Sequence, residues 1–162
     1  MANKAVYGGI EAGGTKFICA FGSCPDDLGD ETRIETTTPD ETLGRVVDLF
    51  RPAVQDGRVS GIGVACFGPL DLDPSSATYG FITSTPKPGW SNTDIVGKLS
   101  RELGIPVVLD TDVDGAGLAE SVWGAGKGID PLLYLTIGTG IGGGFVQGGR
   151  PLHGMLHPED EI

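Results

Sequence analysis

Leu132-Leu-Tyr-Leu-Thr-Ile-Gly-Thr-Gly-Ile-Gly-Gly-Gly-Phe-Val-Gln-Gly-Gly149 is the stretch around which the chain is organised. Leu133, Tyr134, Leu135, Thr136 and Ile137 are aliphatic, aromatic or β-branched and read as a strand. Gly138, Gly140, Gly142, Gly143 and Gly144 follow, then a short apolar run, Phe145-Val146, and Gly148-Gly149. The pattern predicts a β-hairpin whose turn is almost bare backbone. Glycine has no Cβ to keep a phosphate away from backbone N–H groups. Thr139 adds a hydroxyl to that turn. A Gly-rich hairpin without a ligand fits the same residues, so the stretch alone leaves both readings open.

The rest of the composition narrows the field. The chain has 162 residues, enough for one domain or two small ones, and 39% are apolar, enough for a core. No apolar run reaches membrane-spanning length, and no basic-then-apolar leader pattern opens the chain. A cytoplasmic location is expected. Cys19, Cys24 and Cys66 have no metal-ligand spacing. Cys19 and Cys66 lie in apolar runs, which favours buried thiols over disulfides. The net charge of −11 argues against nucleic acid as a partner. An anionic ligand would need backbone dipoles, a lysine or a metal ion. Glycine stands out at 28 residues, against a usual share of about 7%.

Lys4–Ile10 and Phe17–Phe21 read as strands so close together that they must fold back as a hairpin. Between them, Glu11-Ala-Gly-Gly-Thr-Lys16 offers two glycines, a hydroxyl and a lysine. This is either a phosphate cradle or a solvated turn. Glu11, at the end of the first strand, suits a hydrated Mg²⁺. Residues 23–31 form an acidic loop, and Arg33–Thr37 a third strand. Thr38-Pro-Asp-Glu41 is a capping box with proline at the first helical position. Leu43, Val46, Val47, Phe50 and Val54 then share one helical face.

Val59–Ala65 reads as a fourth strand, and Phe67-Gly-Pro-Leu-Asp71 as the turn at its carboxyl end. Residues 71–90 form a long irregular segment. Its Thr83, Ser84, Thr85, Lys87 and Trp90 either line a pocket for a polyhydroxylated ligand or belong to a rigid covering loop. Ser91–Asp94 caps a helix with Ile95 and Leu99 facing inward. Pro106–Leu109 is a short, fully apolar strand of the kind buried inside a sheet.

Asp110, Asp112 and Asp114 follow that strand. An aspartate at a strand's carboxyl end can act as a general base for a hydroxyl. Acidic residues are also favoured by the dipole of a helix N-terminus. That second reading is preferred for Asp110 and Asp114, while both stay open for Asp112. Gly115–Gly124 is a helix with Gly115, Ala116, Gly117 and Ala119 on one side, suited to packing closely on another helix.

A three-stranded meander followed by alternating helices and strands is the layout of a ribonuclease-H-like half-domain, here residues 1–128. The hairpin at 132–149 echoes the first one and predicts that a second, similar half starts in 129–162. Several ordered motifs support this. Gly9-Ile-Glu-Ala-Gly-Gly-Thr-Lys16, Phe67-Gly-Pro-Leu-Asp71, Thr83-Ser-Thr-Pro-Lys-Pro-Gly-Trp90, Asp110-Thr-Asp-Val-Asp114, Leu135–Gly144 and Gly149–Glu159 together resemble the bacterial ROK sugar kinases, and most of all their fructokinase branch. The resemblance covers nearly the whole chain.

The resemblance implies an α/β, actin-like, ribonuclease-H-like ATPase fold. It implies ATP phosphates held by Gly9, Glu11, Gly13, Gly14, Thr15 and Lys16 on one side. On the other side they are held by Gly138, Thr139, Gly140, Gly142 and Gly143. It further implies Mg²⁺, a hexose held by Gly68, Pro69, Thr111, Asp112 and Glu159, and Asp112 as the base. The reaction implied is phosphorylation of a hexose 6-hydroxyl, with fructose favoured, and full-length members are expected to be homodimers. A non-catalytic fragment that binds sugar or phosphate weakly is the alternative. A ROK-type repressor needs a DNA-binding domain before the first strand, and six residues precede Tyr7.

The departures from the family matter as well. Asp114 stands where the family usually has asparagine. Glu159-Asp-Glu-Ile162 replaces Glu-Met-Gly-His, so Ile162 takes the place of a histidine that binds a structural zinc. That zinc is expected to be lost. The Cys/His cluster that completes the zinc site and the adenosine-binding part of the second domain are expected to be missing.

Overall fold

The structure is a computed structural model that describes residues 5–138, 141–154 and 160–161. Strands β1 (Val6–Ala12) and β2 (Lys16–Gly22) form the predicted first hairpin, with β3 (Thr32–Glu35) beside β2. Helix α1 (Pro39–Gln55) begins at the predicted box. Thr38 caps it by accepting from the Glu41 N–H, and Pro39 takes the first turn. The Glu41 carboxylate accepts from the Thr37 hydroxyl at 2.7 Å. Leu43, Val46, Val47 and Phe50 are buried as predicted. In the last turn Ala53 faces the core and Val54 is half-buried.

Next come β4 (Val59–Cys66), the short pair β5 (Phe81–Ile82) and β6 (Thr93–Asp94), helix α2 (Ile95–Leu103) and β7 (Val107–Thr111). The main sheet runs β3-β2-β1-β4-β7, with β1, β4 and β7 parallel. The contacts of α1 and α2 form the core: Ile10, Ala12, Phe17 and Cys19 lie under Leu43, Phe50, Ile95 and Leu99. Gly8 is where Phe50 meets the sheet, since a Cβ there would lie 2.4 Å from the ring. Asp94 caps α2 by accepting from Gly97 N at 2.7 Å, and Gly104 ends the helix at φ 69°.

One strand differs from expectation. The apolar run at 106–109 belongs to an edge strand, not an interior one, and Val108 is 64% exposed. Val107 and Leu109 point into the core, while Val108 lies on the opposite face.

Helix α3 (Asp112–Val122) starts earlier than predicted, with Thr111 as N-cap accepting from Asp114 N at 3.1 Å. A second sheet follows: β8 (Leu132–Ile137), β9 (Ile141–Gln147), β10 (Arg150–Pro151) and β11 (Asp160–Glu161), ordered β10-β9-β11 with β8 also on β9. The small residues of α3 do not meet a helix. A Cβ on Gly115 would lie 2.8 Å from that of Ala65 in β4. One on Gly117 would lie 3.2 Å from the Tyr134 Cβ and 3.4 Å from Gly144 O. Thus α3 touches both sheets. Among the described residues, no helix is long and apolar enough to cross a membrane.

Candidate active site

The site grows from the carboxyl ends of three parallel strands. Register places Glu11 of β1 opposite Ala65 of β4, and Ala65 opposite Asp110 of β7. The next row is Ala12, Cys66 and Thr111, all buried. In open α/β sheets this edge is where ligands gather. Small Ala65 keeps the middle of the first row low, between two carboxylates.

Asp112 opens α3 just beyond that edge. Its Oδ1 accepts from Val113 N at 2.9 Å, which leaves Oδ2 as the outer oxygen. The residue reaches solvent, but crowding by protein around the carboxylate raises its pKa above the ordinary aspartate value. The Val113 N–H opposes that shift, and the charge of Glu11 adds to it. Glu11 therefore lies near enough for its charge to act on Asp112.

The first hairpin turn directly follows Glu11 and Ala12. Gly13 N donates to Lys16 O at 2.9 Å. Thr36, at the end of β3, fixes the turn from behind: its hydroxyl donates to Gly13 O at 2.7 Å and its N–H to Thr15 O at 3.1 Å. Nothing lies within 4 Å of a Cβ built on Gly14. Lys16 makes no ion pair among the described residues. The turn is thus braced on one side and open on the other, with an uncompensated cation beside it.

The Gly68–Pro69 turn is tied to the same edge, because Phe67 N donates to Ala12 O at 2.9 Å. Pro69 O accepts from both Thr83 N (2.8 Å) and Thr83 Oγ1 (3.1 Å). The segment at 71–90 proves to be a covering loop. Trp90 is fully buried, stacks near Phe17 and Phe67 with ring centroids 5.6 and 5.7 Å away, and donates from Nε1 to Thr37 O. It is a core residue. Lys87 reaches Thr36 O at 3.4 Å, so it also serves the loop's anchorage.

The second hairpin corrects the expected turn. Its strands pair from Leu132–Val146 to Ile137–Ile141. Gly142, Gly143 and Gly144 are strand residues opposite Thr136, Leu135 and Tyr134, and β11 lies along Gly142 and Gly143 on the other edge. A Cβ on Gly144 would lie 2.4 Å from Val113 O. Gly142 and Gly144 let the first turn of α3 rest on the hairpin. Glycine content alone cannot separate a packing glycine from a turn glycine.

A second cluster lies beside Asp112 and was not foreseen. His153 Nε2 sits 2.9 Å from Asp110 Oδ1 and 3.7 Å from Asp114 Oδ2. Asp114 is completely buried, and neither carboxylate oxygen has a hydrogen-bond partner among the described residues. Burial foremost, and the Asp110 charge next, push its pKa up to about 6, against the Thr111 hydroxyl and His153. Reading Asp110 and Asp114 as plain helix-start acids missed this. The histidine comes from a segment about forty residues further on, and no local pattern announces it.

A profile of the ROK family matches residues 7–159. The chain belongs to the ROK family. It is 48% identical to a fructokinase of Zymomonas mobilis over 97% of its length, covering 53% of that protein. It is 44% identical to a fructokinase of Streptococcus mutans over 95% of its length, covering 51% of that protein. Among solved structures it is similar to the ROK hexokinase from Thermus thermophilus. There the TM-score is 0.78 at 32% identity, over 93% of this chain and 49% of that one. The ROK chain thus spans about half the length of the relatives it matches, and it has their actin-like fold.

In this ROK chain, Glu11, Gly13, Gly14, Thr15, Lys16, Gly68, Pro69, Thr111 and Asp112 all lie at or next to the carboxyl edge of β1, β4 and β7. Gly9 lies further back, within β1, paired with Ala20 and Gly63. Thr111 is spent as the N-cap of α3 and is buried. Gly138 is at the tip of the second hairpin, and Gly142 and Gly143 are along its strand. Thr139, Gly140, Glu159 and Ile162 lie outside the described residues.

Proposed function

We propose that this chain carries the sugar- and phosphate-binding part of a cytoplasmic, ATP-dependent hexose kinase acting on the 6-hydroxyl, with fructose favoured. The observation that carries the reading is that Glu11 lies near enough for its charge to act on Asp112, at the strand edge from which the braced Gly13–Lys16 turn leaves. The fructokinase relatives support the choice of fructose. In this reading residues 1–128 form one domain and 129–162 begin another.

Asp112 Oδ2 accepts the proton of the sugar hydroxyl as that oxygen attacks the γ-phosphorus of ATP. The bond from phosphorus to the bridging oxygen breaks, and ADP leaves with its electron pair. A carboxylate with a raised pKa is the stronger base. Such a base contributes about 10²–10⁴-fold. Most of the remaining acceleration in phosphoryl transfer comes from positioning and charge neutralisation. Lys16 and the Gly13–Thr15 backbone hold phosphate oxygens on one side, and the second Gly-rich hairpin is the candidate for the other. Glu11 fits a hydrated Mg²⁺, since its carboxylate is exposed at the strand end and hard ions prefer oxygen ligands. When bound, that ion neutralises charge on the phosphates.

Coupled ADP release with fructose, glucose and mannose tests the reading. Turnover with fructose, lost in Asp112→Ala, is the expected result. Turnover undiminished in Asp112→Ala would overturn it. A second reading is a non-catalytic piece that binds sugar or phosphate weakly. It is favoured by the half-length coverage and by the bare outer face of β8, where Leu133, Leu135 and Ile137 are 50–77% exposed. A melting shift with ATP–Mg²⁺ but no turnover would decide for it.

A further inference from the structure

The structure assigns a second ligand site to this chain: Asp110, Asp114 and His153 together form a binding site for one divalent first-row transition-metal ion, with Zn²⁺ as the fitting probe. None of the three residues has a role in the proposed phosphoryl transfer, so the assignment stands apart from that reading.

The first observation is Asp114. A carboxylate buried without a hydrogen-bond partner is among the costliest groups a protein can hold. Here both oxygens are unpartnered among the described residues, the side chain is 1% exposed, and Oδ2 is directed towards His153. Thr111 Oγ1 accepts from the Asp114 backbone N–H at 3.1 Å. No lysine or arginine pairs with Asp114 or Asp110 among the described residues. The site is thus two carboxylates facing a single imidazole, with a charge deficit that only an imported cation or proton can fill.

The second observation is the spacing. One ligand atom from each residue lies within 4.8 Å of the others. His153 Nε2 is 2.9 Å from Asp110 Oδ1 and 3.7 Å from Asp114 Oδ2. Ligands on a tetrahedral ion at bonds of about 2.1 Å stand about 3.4 Å apart, so the observed distances bracket what the ion requires. An imidazole nitrogen with two carboxylates suits zinc and its neighbours, whereas Mg²⁺ and Ca²⁺ prefer oxygen alone. His153 is half in solvent, which leaves a fourth position for water.

The third point is what the site joins. Asp110 is the penultimate residue of β7, Asp114 sits in the first turn of α3, and His153 follows β10. A bound ion would tie the second sheet to the end of the first one, two residues from Asp112 on either side.

The test uses the whole chain, stripped with a chelator and dialysed against ZnCl₂ or MgCl₂, with metal content and melting temperature as readouts. One equivalent of Zn²⁺ per chain and a raised melting temperature are expected, with no such response to Mg²⁺. His153→Gln, on a half-exposed side chain, should fold normally by circular dichroism and bind zinc at least about tenfold more weakly. Asp114→Asn should do the same. Failure of the unaltered chain to retain zinc, or equal retention in both variants, would overturn the assignment.

Discussion

The two hairpins of this chain follow nearly the same local pattern and rest on different supports. Hairpin β1–β2 pairs as far as Ala12–Phe17, and β8–β9 as far as Ile137–Ile141. In the first, Ile10, Ala12, Phe17 and Cys19 are all buried under α1 and α2. In the second, the inner side rests on α3 through Gly142, Gly144 and Val146, and the outer side leaves Leu135 and Ile137 in solvent. Local sequence therefore specifies a hairpin and its turn, whereas the neighbours decide how firmly it is held. An isolated hairpin is marginal in water.

The difference can be broken from either end. The largest effect is expected at Phe50→Ala, which removes the ring lying on Gly8 and the Phe21 ring, at a centroid distance of 4.7 Å. A loss of about 3–5 kcal/mol in urea unfolding is expected. Cys19 reports the same event. Burial pushes its thiol up to about 12, so it should resist alkylation at pH 8 in the folded chain and react in Phe50→Ala at far lower urea.

Gly144→Val should cost less, about 1–3 kcal/mol, because the new side chain meets Val113 O. Limited proteolysis should then cut between residues 123 and 150 while β1–β4 stay protected. Cleavage in β1–β4 first would contradict the picture of a hairpin held only through α3. The smallest effect belongs to Leu135→Lys, expected within about 0.5 kcal/mol by thermal melting, with less self-association in light scattering. A large destabilisation there would mean that the outer face of β8 is covered.

Much of the fold was legible because the signals were local. The Thr38–Glu41 box, the 43-46-47-50 face and the Asp94 and Gly104 boundaries of α2 each depend on residues within one or two turns. Several points left open or misread involve partners far along the chain. Trp90 fitted a pocket or a covering loop equally, and its hydrogen bond to Thr37 spans 53 residues. Val108 looked interior because nothing in Pro106–Leu109 reveals that β7 is the last strand of its sheet. Gly142 and Gly144 looked like turn residues because the helix backbone they admit comes from residues 113–114. Within the candidate site, Glu11, the Gly13–Lys16 turn and Asp112 could be named from strand ends, while His153 could not.

Helix α3 meets β4 at Gly115 and the second hairpin at Gly117, in both cases with almost no side chain between the backbones. Such a joint has little compliance. Long side chains could absorb a small displacement by changing rotamer, but glycine has none to change. Asp112 opens that helix, so these two close contacts set where its carboxylate stands relative to both sheets.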